Sequence, residues 1–86
     1  SVRSVVTHIK DRLQEDGKLQ QQAKSNSLAQ FSASPDIDIA FNEAVIGSMD
    51  SSADLSRQIL NNRDLAQKLL GELLPAVYRT LQDSDT

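Results

Sequence analysis

An 86-residue chain of 9.4 kDa has room for one small domain, and a chain this short buries only about 60 to 65% of its unfolded surface. It carries no cysteine and a single histidine, which excludes disulfide stapling, thiolate chemistry and a histidine metal cluster. Its apolar share of 38% and net charge of -3 favour a lean helical domain over a disordered chain. The longest apolar run, the six residues Leu73 to Tyr78, is far short of the roughly 18 to 20 residues of a membrane span, so a soluble chain is expected.

The chain begins with Ser1 and its only methionine is Met49, which reads as a piece excised from a longer protein. No signal-peptide pattern opens it, and the expected compartment is the cytoplasm. Val2, Val5, Val6, Ile9 and Leu13 recur on a 3.6-residue period and predict a first helix over residues 2–15. Gly17 follows Glu15 and Asp16, where a glycine at positive φ would end that helix or bend the chain. A short second helix is expected over residues 18–25, with Leu19 and Ala23 turned inward. Residues 26–34 are mostly small and polar and read as a loop holding one helical turn, pinned by Phe31.

Ser34-Pro35-Asp36 is the clearest start signal: an N-cap serine, a proline at the first helical position and a carboxylate where the helix dipole is positive. The helix it opens carries Ile37, Ala40, Phe41, Ala44, Val45, Ser48 and Met49 on one stripe. Ile39 and Ile46, seven apart, lie off that stripe and predict a second contact surface, covered by another segment or by a partner. Ser51 or Ser52 can cap a helix from Ala53 to Leu60 bearing Leu55 and Ile59. Asn62 can cap another through Leu65, Ala66, Leu69, Leu70 and Leu73, and Pro75 either opens a last short helix or kinks a continuous one. Val77, Tyr78 and Leu81 would line its inner face.

No period-2 strand, hairpin signal or repeat interrupts this pattern, so the expected fold is an all-α bundle of about four to six short helices. The expected division is N-terminal helices over 1–25, the loop over 26–34, a helical core over 35–82 and a frayed tail over 83–86.

Charge is unevenly spread. Residues 25–54 contain five carboxylates (Asp36, Asp38, Glu43, Asp50 and Asp54) and no lysine or arginine. Such a segment repels phosphates and suits a basic protein surface better than nucleic acid. A recognition helix around Arg63 and Lys68 would also carry Asp64 and Glu72, so direct DNA binding is not expected; only Arg3, Lys10 and Arg12 offer a place for weak backbone contacts. His8 lacks a nucleophile motif, a second histidine or a glycine-rich loop and reads as a packing residue. Asp36 and Asp38, two apart, point to different sides of a helix and read as helix-start charge rather than an acid/base pair. With no phosphate loop, zinc-ligand set or nucleophile elbow, the chain is expected to hold no catalytic, cofactor or metal residues. The candidate structural and docking residues are Phe31, Ile39, Phe41, Ile46, Met49, Asp50, Asp54 and Tyr78, with the Tyr78 hydroxyl expected to reach water or a carbonyl.

One ordered string stands out: Gln22-Ala23, Asn26-Ser27, Gln30-Phe31, Ser34-Pro35-Asp36, Ala44-Val45-Ile46, Met49-Asp50, Ser56, Gln58, Leu60, Leu73-Leu74, Tyr78 and Leu81. It resembles the C-terminal region of the restriction (R) subunit of type I restriction-modification enzymes, over about residues 13–82, with Gln-Phe followed by Ser-Pro-Asp as its most distinctive part. The chain departs from that pattern at Ser51-Ser52 (Ala-His in the pattern), Leu55 (methionine) and Gln82 (arginine). The resemblance implies a parent that is an ATP-dependent DNA translocase and endonuclease, with ATP, Mg and every catalytic residue outside this segment. It also implies an assembly role, docking the motor onto the methyltransferase and specificity subunits, with Asp50 and Asp54 setting orientation. An unrelated helical adaptor or self-association module is the alternative.

Overall fold

The computed structural model describes residues 2–84 and builds them from six helices, with no strand among the described residues: α1 (Val2–Gln14), α2 (Gly17–Ser25), α3 (Leu28–Ser32), α4 (Pro35–Gly47), α5 (Ala53–Asn61) and α6 (Arg63–Gln82). Each start after α1 is marked by a side-chain cap. Asp16 accepts from the backbone N–H of Lys18 and Leu19, Ser34 from Asp36, Ser52 from Leu55 and Asn62 from Leu65. These caps satisfy donors that a helix start otherwise leaves without partners.

One expectation changes here and two are decided. Gly17 does not end α1 at positive φ; it is the first residue of α2, and no glycine has positive φ. The bend falls one residue earlier, at extended Asp16, because its carboxylate satisfies two amides of the next helix. The helical turn expected within residues 26–34 is α3, closed by a capping box in which Ser27 Oγ accepts from Gln30 N while Gln30 Oε1 accepts from Ser27 N. Of the two readings of Pro75, a new helix is excluded and a continuous one holds: α6 runs through it. Gly71, the residue whose carbonyl loses its amide partner to Pro75, is exposed, as Pro75 is, so the missing bond lies on the wet side of the helix.

One cluster of buried apolar residues draws on all six helices. Val5, Ile9 and Leu13 form the inner stripe of α1, Leu19 and Ala23 that of α2, and Leu70, Leu73, Leu74, Val77 and Leu81 that of α6. Val2, expected on the α1 stripe, is exposed at the helix start. Helix α1 runs antiparallel to α4: His8 and Arg12 lie beside Gly47, whereas Asp16 and Lys18 reach Asp36, Ile39 and Ala40. The end of α6 closes on α2 and the segment before α3. Tyr78 Oη donates to the Asn26 carbonyl at 2.7 Å, and its ring meets that of fully buried Phe31 at 5.3 Å between centroids.

The tail does not fray at once. Ser84 is tied to α2 by Gln20 Nε2, which donates to its hydroxyl, and by Lys24 Nζ, which donates to its carbonyl. Asp85 and Thr86, the rest of the expected frayed tail, lie outside the described residues.

The α4–α5 corner is joined by a polar contact within the core. Ser48 and Ser56 are both fully buried with hydroxyl oxygens 2.9 Å apart; Ser48 Oγ also lies 2.7 Å from the Val45 carbonyl and Ser56 Oγ 2.8 Å from that of Ser52. Two hydroxyl protons serve three contacts, so one serine donates to the other and the second donates to the carbonyl beside it, that of Val45 for Ser48 or of Ser52 for Ser56. Coupling of this kind is measurable. A cycle of Ser48→Ala, Ser56→Ala and the double variant, followed by urea unfolding, should give a coupling energy of about 1 kcal/mol. Additive single effects would rule out the shared bond.

Candidate docking face

The eight candidate residues separate into two groups. Phe31 and Phe41 are core residues, buried on α3 and α4. Tyr78 is half-buried and serves the same interior: besides its bond to Asn26 its hydroxyl accepts from Gln82 Nε2 at 3.1 Å, which meets the expectation that it would find a carbonyl. Met49 is not on the α4 stripe. The helix ends at Gly47, and Met49 sits half-buried in the turn that follows, because Ser48 caps the helix and its carbonyl accepts from Ser51 and Ser52.

Ile39 and Ile46 remain on the outside, each 57% exposed. At about 100° per residue, seven residues bring the helix within about 20° of a full set of turns, so the two side chains form one row. Phe41, Ala44 and Val45 face inward from the same helix. Helix α4 is thus apolar on two opposite faces, and among the described residues no other segment covers the outer one.

The surroundings of that row are charged. Beside Ile39 lies a shallow depression of about 190 Å³ lined by Ala40, Asp16, Lys18, Asp36 and Glu43. Asp16 is fixed by its capping bonds, and the Asp36 carboxylate accepts from Gln22 Nε2 at 2.5 Å, so two of the three carboxylates are held in place. Toward Ile46, Arg12 and His8 approach Gly47 from α1. Asp50 and Asp54 are exposed at the α4–α5 corner, Asp50 in the turn and Asp54 in the first turn of α5. The structure therefore places Ile39 and Ile46 on one helix face with Asp16, Asp36 and Glu43 beside Ile39, Asp50 and Asp54 apart from them in the α4–α5 corner segment, and Phe31 and Tyr78 in the interior pairing of α3 with α6.

Asp36 and Asp38 line different depressions, as their spacing requires: Asp36 faces Lys18 and Ile39, whereas Asp38 faces Gln67 and Leu70 of α6. His8 is half-buried with Nε2 enclosed and without a hydrogen-bond partner, set against Gly47 where any larger residue would touch it. Among the described residues no group of three or more His, Asp or Glu side chains could hold a metal ion, and no helix is long and apolar enough to cross a membrane.

Sequence reasoning missed two polar links. The Ser48–Ser56 contact had one visible signal, a serine on an otherwise apolar stripe. The Gln22–Asp36 bond had none, since it depends on how α2 turns after Asp16.

The fold and this surface define a small helical bundle with one uncovered apolar helix face. No protein-family model matches the chain, and neither curated proteins nor solved structures provide a match.

Proposed function

We propose that this chain is a protein–protein assembly domain of a type I restriction enzyme R subunit, docking the ATP-dependent motor and nuclease onto the methyltransferase–specificity core. The observation that carries the docking part is the exposed Ile39–Ile46 row on the face of α4 opposite the core. An apolar row turned to solvent in a chain with so little apolar residue to spare is what a partner's surface would bury. The family part rests on the ordered string from Gln22-Ala23 to Leu81, whose Phe31, Tyr78 and Leu81 belong to the interior of the bundle. In this reading ATP, Mg and the catalytic residues belong to other parts of the parent, the DNA target to the specificity subunit, and this chain contacts protein rather than DNA.

The test is a mixing experiment. The purified chain is combined with the methyltransferase–specificity complex from the same source and followed by size-exclusion chromatography with light scattering, with DNA duplex alone as control. Co-elution with the complex and not with the duplex is the expected result. A chain that retains its helical circular dichroism yet elutes separately would overturn the docking role.

A further inference from the structure

The layout around Ile39 and Ile46 specifies the chemistry of what covers them. The two side chains stand two helical turns apart, about 10 Å along the axis, which is the repeat at which one helix presents successive apolar residues to another. The flanks are acidic. Ile39 sits beside Asp16, Asp36 and Glu43 with Lys18 as the one cation of that depression, and the whole segment 25–54 contributes carboxylates without a lysine or arginine. At the other end Arg12 is the cation nearest Gly47, and Asp50 follows in the turn.

We infer that the outer face of α4, centred on Ile39 and Ile46, receives an amphipathic helix of a partner protein whose apolar stripe is flanked by lysine and arginine. The inference rests on the docking reading above and goes further by naming the face and the chemistry of the occupant. Aliphatic side chains of the partner cover Ile39 and Ile46, while its cations lie over Glu43 and Asp36 with their stems along the isoleucines. Charge argues against a second copy of this chain on the same face. An antiparallel two-fold pairing centred between Ile39 and Ile46 would set Glu43 of each copy against Glu43 of the other.

The probe is a synthetic helical peptide of about 18 residues, long enough to hold a helix, with leucines on one stripe and lysine and arginine on its flanks. Two controls accompany it: the same composition in scrambled order, and the same stripe with glutamate in place of the cations. Fluorescence anisotropy should show the basic amphipathic peptide binding about tenfold or more tighter than either control, and more weakly as salt rises. Ile39→Ser with Ile46→Ser, and separately Glu43→Lys, should each weaken it by about tenfold with the melting temperature unchanged. Equal affinity for the three peptides, no binding, insensitivity to these substitutions, or a chain dimer lost in the double isoleucine variant would overturn the inference.

The same variants in the mixing experiment separate the two readings. A double isoleucine variant that co-elutes with the methyltransferase–specificity complex as well as the parent chain overturns this face and leaves the docking role intact. A parent chain that binds the basic peptide through Ile39 and Ile46 but ignores the complex keeps this face and overturns the restriction-enzyme assignment.

Discussion

Phe31→Ala is expected to destabilise the chain by about 3 to 5 kcal/mol, the range for removing a buried phenylalanine ring. The ring is fully buried, and it is the sole buried residue of the five-residue helix α3. A helix that short has no stability of its own, so α3 depends on this ring and on the capping box of Ser27 with Gln30. The ring also meets Tyr78, whose hydroxyl fastens the Asn26 carbonyl just ahead of α3; its loss leaves that side chain against a cavity as well as removing apolar burial. Total stability for a chain of this length is of the order of 4 to 13 kcal/mol, so one substitution takes away a large share of it. Thermal unfolding followed by circular dichroism should show a midpoint lowered by roughly 12 °C or more, or no folded baseline at 25 °C. Leu28→Ala, at an exposed position of the same helix, should shift stability by about 0.5 kcal/mol or less. Equal effects from the two substitutions would contradict Phe31 as the anchor of α3.

Much of the architecture could be read from residue order because the helix starts are written in local chemistry. Ser34-Pro35-Asp36 and Asn62 open α4 and α6 as expected, since a cap acts over three residues and needs no tertiary context. Stripes at helical spacing also located the interior faces of α1, α4 and α6. Local signals failed where two readings of one residue compete. Gly17 can end a helix or begin one, and the choice was made by Asp16, whose carboxylate reached forward to Lys18 and Leu19. Met49 continues the apolar period of α4, yet the helix stops before it because Ser48 turns its hydroxyl back to the Val45 carbonyl and across to Ser56.

The candidate face was legible for a related reason. A helix with isoleucines on both sides cannot bury both within a bundle this small, so the row outside the main stripe had to be exposed or covered by something else. Which carboxylates would surround it was not legible. Asp16 and Lys18 arrive from the α1–α2 corner, a little over twenty positions before Ile39, and only their packing against Asp36 and Glu43 shows the charge that Ile39 meets.

The interior of α6 carries the second large effect, of opposite sign. Pro75→Ala should stabilise the chain by about 2 kcal/mol: a proline in a helix interior costs about 3 kcal/mol relative to alanine, and roughly 1 kcal/mol of this is offset because proline also restricts the unfolded chain. Pro75 is exposed, so little packing is lost with its ring, and the new amide can donate to the Gly71 carbonyl. Gly71→Ala should add about 1 kcal/mol by itself, because a methyl group there meets nothing within 4 Å and glycine is a poor helix former. The two positions are four apart and share one hydrogen bond, so their effects should not add. With Pro75 present, the Gly71 carbonyl is crowded by the ring; with alanine at 75 it is bonded, and the benefit of removing glycine can be realised in full. The expected midpoint therefore rises by about 8 °C or more for Pro75→Ala, by about 4 °C or more for Gly71→Ala, and by more than the sum for the pair. A fall in the midpoint with Pro75→Ala would mean that the proline is needed for Leu73, Leu74 and Val77 to reach the core, and that it shapes the bundle rather than straining it.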